Sequence, residues 1–366
     1  VTVATGPARS AREPAALRVR GRRGIVSLPP PIASNPYQRL LYEQLARHDL
    51  PLEPVERLRA TWLWTARHRV GRLHFHWPQA YYHDDRLGGA ASWVRLGLFA
   101  GRLGAARALG YRVAWTVHQV YPHESPSRRL DRTAGRLLAA ASDVLIAHDR
   151  TTAQAVRREL GARRVHVLPH PPYAGAYPPG RPRAAVRAAL GLGEHTFVFL
   201  CFGHVRAYKG LDRLVAAFGA ADLDDAALVV AGAPIDAATV AAVERAAAAD
   251  RRIIPLLAHV ADERVAELHA AADAAVVARA DGGTSGALAL ALTLGLPAVA
   301  ADAYADRVGT AGWTFPGDEP GGLRSALERA ASEPVRSRAR AAAGAAAPPG
   351  WDEIGAHTAA LFGGAV

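Results

Sequence analysis

A single cysteine, Cys201, excludes an internal disulfide. Its place inside an apolar run marks a buried structural thiol rather than a nucleophile. Such usage fits a reducing cytoplasm. No run of about 18 apolar residues occurs, which excludes a transmembrane helix. The first residues are basic but hold no apolar core, so secretion is not expected. Several chemistries lack their motif. There is no GxxxxGK[ST] loop for a P-loop NTPase. No GxGxxG follows the first strand, as a dinucleotide oxidoreductase requires. No GxSxG elbow marks an α/β-hydrolase. Zinc-finger spacing, a basic zipper and an RNA-recognition signature are all missing, so nucleic acid is not an expected partner. His74 and His76 alternate on a strand, but no neighbouring residue completes a metal site, and no metal is expected.

Lysine is the sharpest scarcity. Among 44 basic residues Lys209 is the only lysine, within FGHVRAYKGLDRLVAAF (202–218). Before it, HTFVFLCFG reads as a buried strand ending in glycine. After it, Leu211, Leu214, Val215 and Phe218 share one helical face. Lys209 is thus expected in a strand-to-helix turn, the place where doubly wound sheets bind ligands. An ammonium there suits a phosphate oxygen, and the helix start favours an anion.

What is abundant is arginine, unevenly spread. Residues 1–150 hold 23 arginines against 11 acids, a balance of +12, whereas residues 151–366 balance at −1. The basic half is suited to an anionic membrane or an acidic acceptor. Within it Ser92–Gly110 reads as an amphipathic helix, with Arg95, Arg102 and Arg107 beside Trp93, Leu96, Leu98, Phe99 and Leu103. Burial of that apolar face against a sheet and contact with anionic lipid both account for the pattern.

Strand and helix patterns alternate along the chain and predict an α/β protein with parallel sheets. Strands are expected at 24–30, 70–78, 111–120, 143–149 and 164–173, then at 197–202, 227–231, 252–255, 274–278 and 297–300. A mobile tail is expected over 1–23, a first domain over 24–172 and a Pro/Gly-rich linker over 173–183. A second domain follows over 184–335, then a helical segment over 336–366, and the alanine-rich stretch 331–347 that spans their boundary is helix-prone. Two similar halves joined by a hinge leave a cleft, a favoured ligand site. A second loop, Asp281–Gly286, is built of small residues before a helix. Thr284 or Ser285 can cap that helix and leave its N–H groups aimed at an anion. With Lys209 on the same half, this implies a nucleotide or nucleotide-sugar pocket with two phosphate-facing walls.

These segments together resemble the GT-B glycosyltransferases of the GT4-like group. The resemblance rests on FGHVRAYKG, SNPYQRLLYEQL, LHFHWP, WTVHQVYPHE, VHVLPHPPY and TSGALALALTLGLPAVA, over residues 24–330. It implies two Rossmann-like doubly wound domains facing each other across a cleft, and transfer of a sugar from a GDP- or UDP-linked donor. The acceptor would be a glycan, a lipid-linked or a natural-product molecule, and neither cofactor nor metal would be needed. Gly203, His204, Arg206 and Lys209 would hold the diphosphate. Asp281, Thr284, Ser285 and Gly286 would form the donor sugar and phosphate loop. His118 would bind the donor sugar or act as base. Asn35, Tyr37, His76, His123 and Glu124 would lie on the acceptor side. The implied location is cytoplasmic or peripheral on the inner membrane face. Three positions depart from the family pattern. His204 follows the turn glycine where arginine is usual, and Gly282 and Leu290 stand where the family has paired glutamates. A non-catalytic scaffold and an epimerase-like enzyme on this fold remain alternatives.

Overall fold

The computed structural model describes residues 21–32, 35–83, 89–125, 127–332 and 349–363. Most of the expected tail and most of the alanine-rich stretch lie outside them. The first half forms a five-stranded parallel sheet whose strands lie in chain order: β1 (Gly24–Leu28), β2 (Val70–Phe75), β3 (Arg112–Val117), β4 (Val144–Ala147) and β5 (His166–Val167). The crossovers are α1 (Pro36–Arg47) and α2 (Ala60–Ala66), then α3 (Gly89–Ala108), α4 (Arg128–Ala141) and α5 (Arg150–Leu160). Strand period two sorts the side chains. Val26, Leu28, Leu73, Phe75, Val113, Trp115 and Val117 enter the core beneath α2 to α5. Ser27, His74 and Thr116, at the alternate positions, turn to the other face, where Gln38 and Tyr42 of α1 meet them. That opposite face is the one that becomes chemically interesting.

Two sequence expectations change here. The strand expected over 164–173 shrinks to His166–Val167, because Pro169, Pro171 and Pro172 cannot donate to a ladder. The 92–110 helix splits its apolar residues. Leu96, Phe99 and Leu103 are buried, while Trp93, Val94 and Leu98 are exposed.

The second half begins at α6 (Arg183–Ala189) and forms a six-stranded parallel sheet of order β11-β10-β9-β6-β7-β8. Its strands are β6 (Phe197–Phe202), β7 (Ala226–Ala231), β8 (Ile253–Leu256), β9 (Ala274–Val277), β10 (Ala298–Ala301) and β11 (Gly312–Phe315). Helices α7 (Leu211–Gly219), α8 (Ala237–Ala249), α9 (Asp262–Ala271), α10 (Gly286–Thr293), α11 (Ala305–Val308) and α12 (Gly322–Ser332) connect and cover them. The order in which strands are added reverses between β6 and β9, so the crevice at their carboxyl ends is the ligand site of such a sheet. The linker is pinned rather than loose, since Arg181 bonds Glu267 of α9 through both its backbone N–H and its guanidinium. The last helix, α13 (Trp351–Gly363), crosses back and packs on α1. Arg72 and Arg112 of the first sheet donate to its Phe362 carbonyl, and Trp351 Nε1 donates to Pro172 O. Burying Ile354 and Phe362 contributes about 1.5–3 kcal/mol each to docking this helix on the first half.

Candidate active site

Between the two sheets lies a cavity of about 730 Å³, within the range of small-molecule sites. Its C-terminal wall starts at Gly203, which follows β6. Gly203 has φ +104°, and a Cβ there would stand 2.6 Å from Lys209 Nζ. Only glycine lets the lysine fold back over the strand end. The ammonium has one hydrogen-bond partner among the described residues, Phe202 O at 3.2 Å. Burial presses Lys209 below its usual pKa; Cys201 opposes this, while Arg279 and Arg206 add repulsion. Arg206 also lines the cavity, with its Nε buried and without a partner. His204 lines it too, its pKa lowered by burial and by Lys209 and Arg206. Cys201 is buried as expected, and its thiol is pushed up by that burial.

The second wall is the start of α10. Ser285 caps that helix by accepting from Leu288 N, leaving the first N–H groups at Gly286 and Ala287 toward the cavity they line. Thr284 lines the cavity with a buried, unpartnered hydroxyl, so of the two capping candidates Ser285 is the cap. Asp281 departs from expectation. It does not line the cavity. It pairs with Arg279 through both carboxylate oxygens, and with His123 at 3.1 Å. Burial opposes its ionisation, but these bonds hold Asp281 down to about 2. Leu290 lines the cavity as an apolar side chain where the resembled family has a glutamate.

The N-terminal wall carries Asn35, Tyr37, Trp77 and His118. Asn35 caps α1 through Tyr37 N. The His118 ring, just past β3, stacks on Trp77 with centroids 4.5 Å apart and planes at 11°. Tyr37 meets it edge-on at 5.0 Å. His76, expected on the acceptor side, instead stands behind His118, with its Nδ1 3.1 Å from His118 Nε2. It does not line the cavity, because strand alternation buries it under α1. His74 and His76, which lacked a companion in sequence, therefore have one. Burial, with His148, His170 and His74 nearby, pushes His118 well below the usual histidine value. No group of His, Cys, Asp or Glu among the described residues is arranged to hold a metal ion.

The two walls touch. Thr284 N donates to His118 O at 3.3 Å. His123 stacks on Tyr208 at 4.4 Å while bonding Asp281, so this residue is a cross-cleft contact as well as a wall residue. Glu124 faces Arg206 at 3.8 Å. Sequence reasoning missed Arg279, Trp77 and Tyr208. Arg279 was hidden by its neighbours, since the residue before a small-residue loop reads as the strand end. Trp77 lies in the LHFHWP segment, where strand pattern and resemblance give it no role of its own.

Comparisons with known proteins bear on the fold and on the sequence of the second half. Residues 196–333 match the sequence family Glycosyl transferases group 1. The chain is 28% identical over 296 residues to GDP-mannose:glycolipid 4-beta-D-mannosyltransferase of Xanthomonas campestris pv. campestris, covering 78% of each. Among solved structures, Anabaena HepE in complex with UDP and glucose superposes with a TM-score of 0.69 at 16% identity. The match covers 93% of this chain and 100% of that one. Sucrose-phosphate synthase from Thermosynechococcus elongatus gives 0.71 at 17%, covering 93% and 98%. With a group 1 glycosyltransferase sequence over residues 196–333 and this two-domain architecture throughout, the protein is a glycosyltransferase with the GT-B fold.

Proposed function

We propose that the protein transfers mannose from GDP-mannose to a lipid-linked glycan at an anionic membrane surface. The observation that carries the donor site is Lys209. Its ammonium lies inside the cavity with one carbonyl partner, flanked by Arg206 and Arg279. Clustered cations with spare N–H groups await an anion of more than one charge, and a diphosphate is such an anion. In the reaction the acceptor hydroxyl oxygen bonds the anomeric carbon and that carbon's bond to the diphosphate breaks. The acceptor hydroxyl's proton passes to the departing diphosphate oxygen or to water in the cleft. Negative charge grows on the leaving diphosphate, where Arg206, Lys209 and the first N–H groups of α10 stabilise it. His118 and Trp77, on the facing wall, contact the donor sugar. The mannosyl donor and the lipid-linked acceptor follow the relative that acts on GDP-mannose and a glycolipid.

The membrane reading is supported by a patch on the basic half. Trp64 on α2 and Trp93, Val94 and Leu98 on α3 are exposed on neighbouring helices. Arg67 lies over the Trp64 ring at 3.7 Å. Apolar residues among arginines suit an interfacial contact. No described helix is long and apolar enough to cross a membrane.

The test is a thermal-unfolding screen with GDP, UDP, GDP-mannose and UDP-glucose, with Lys209→Ala beside the parent. GDP-mannose at about 100 times its dissociation constant stabilises the parent by about 2.7 kcal/mol. Lys209→Ala weakens nucleoside diphosphate binding about 10- to 150-fold, the worth of a charged hydrogen bond of about 1.5–3 kcal/mol. Unchanged affinity in that variant removes the donor-site assignment, and a response to UDP-glucose alone reassigns the donor.

A further inference from the structure

Asp131 of α4 is a buried carboxylate with a histidine in front of it. Its side chain is 1% exposed, and that of His83 is 11% exposed. Three donors converge on Asp131. His83 Nε2 stands 2.7 Å and the Tyr82 hydroxyl 3.0 Å from Oδ1, and the Ser125 hydroxyl donates to Oδ2. Among the described residues no arginine or lysine pairs with it. His83 lines the cleft cavity on the same wall as Trp77, Gln79 and Gln119.

Local sequence builds this arrangement. After β2 and Trp77 comes one tight helical turn, Pro78–Tyr81, which starts at a proline. Gln79 O accepts from both Tyr82 N and His83 N, so the turn ends on two consecutive side chains that reach Asp131. Ser127 caps α4 by accepting from Leu130 N, and Asp131 lies in the first turn of that helix, where a negative charge is favoured.

We propose that His83 is the general base of the sugar transfer, its Nδ1 taking up the acceptor's proton through cleft water, and that Asp131 is the positioning residue for it. This rests on the transferase reading above, with the acceptor against the wall of the first half.

Charge fixes the ring. Burial opposes ionisation of Asp131, but the bonds from His83, Ser125 and Tyr82 hold it below the usual carboxylate range. An ionised carboxylate only accepts, so His83 Nε2 carries the proton of their bond. The bond cannot run the other way, because the carboxylate has no proton to give. In the neutral ring Nδ1 is then a bare lone pair, and it has no hydrogen-bond partner among the described residues. In the transfer, the acceptor oxygen bonds the anomeric carbon while the electron pair of the carbon–diphosphate bond leaves with the diphosphate. The acceptor's proton moves to the cleft water, and that water gives a proton to Nδ1. The imidazolium so formed faces Asp131, whose charge stabilises it, and later returns the proton to solvent.

The other candidates in the cleft are engaged elsewhere. Burial, with His148, His170 and His74, pushes His118 well below the usual histidine value, which makes it a weak base. Asp281, behind His123, is already paired with Arg279 through both oxygens. Glu124 faces Arg206. His204 shares the diphosphate wall, where burial, Lys209 and Arg206 lower its pKa.

His83→Gln keeps a donor for Asp131 and removes the base. With GDP-mannose as donor and water as acceptor, it should lower kcat about 100-fold or more and abolish the acidic limb of the kcat–pH profile. GDP affinity by calorimetry and the unfolding temperature should not change. Asp131→Asn should move the acidic limb to lower pH, because the imidazolium loses its counter-charge, whereas a merely structural carboxylate leaves the limb in place. Parental kcat in His83→Gln, or a lower kcat with the acidic limb intact, overturns the proposal. Ring-nitrogen NMR on protein labelled with ¹⁵N-histidine at pH 8, with His83→Gln assigning the signal, should show His83 protonated at Nε2 and bare at Nδ1. The opposite tautomer overturns the proposal whatever the kinetics. Both His83 measurements stand even if Asp131→Asn fails to fold. UDP-glucose is run beside GDP-mannose. Hydrolysis of UDP-glucose alone revises the donor, and His83→Gln is then decided on that substrate.

Discussion

Acid should unfold this protein well above the range where carboxylates titrate. Six histidines are buried with their pKa values pushed down: His74, His76, His118, His148 and His170 beneath α1 and the cleft, and His269 on α9. Burial is the leading cause in every case. His74 falls to about 3, and His148 and His269 to about 4. In the unfolded chain each titrates near 6.5. Between those values the unfolded state binds more protons, so stability is fully present above about pH 6.5 and falls as pH falls. From pH 7 to pH 5 each of the three loses about 2 kcal/mol, together about 6 kcal/mol, and the other three act in the same direction. That rivals a typical total of about 5–15 kcal/mol. Asp281, held to about 2, adds its own loss only at lower pH. Urea unfolding followed by tryptophan fluorescence at half-unit steps from pH 7.5 to 5.0 measures the slope. His269→Gln, which keeps a donor for Val265 O, should reduce that slope at pH 5.5 by about 1.2 kcal/mol per pH unit. A urea midpoint that does not move between pH 7.5 and pH 5.0 would refute the reasoning, since it requires the buried imidazoles to titrate as they do in water.

Three further outcomes follow from the cleft and the basic face. Glu124→Gln frees Arg206 from a partly exposed pair worth about 0.2–1 kcal/mol, so calorimetry should show GDP binding about 1.5- to 5-fold tighter. Gly203→Ala sets a Cβ against Lys209 Nζ at a positive φ. It should cost about 1–3 kcal/mol by denaturant titration and weaken GDP binding as Lys209→Ala does. Vesicles containing anionic lipid should co-sediment the protein at low salt and release it at high salt, because screening over about 8 Å at physiological ionic strength weakens surface attraction. Trp64→Ala with Trp93→Ala should reduce the bound fraction, and equal recovery in the supernatant with and without anionic lipid would leave the patch as solvated surface.

Local pattern was enough to read the parallel α/β architecture, the strand-to-helix turn around Lys209 and the small-residue loop before α10. Each depends on residues within a few positions of one another. An apolar run, a turn glycine and a helical period announce themselves wherever the chain later goes. Assembly decided the rest. His76 passed from an expected acceptor contact to a support behind His118, because parallel register sets β2 beside β3 and α1 seals their shared face. Asp281 left the donor loop for Arg279 and His123 once the first domain brought a histidine within 3.1 Å. The last helix, distant in sequence, became the cover of the first sheet. Alternation at His74, His76, Thr116 and His118 did hint that these side chains share a face. That they form one line required Tyr42, which a helix places between two strands and no strand pattern reveals. Sequence spacing reports neighbours along a chain, whereas hydrogen bonds and desolvation act on neighbours in space.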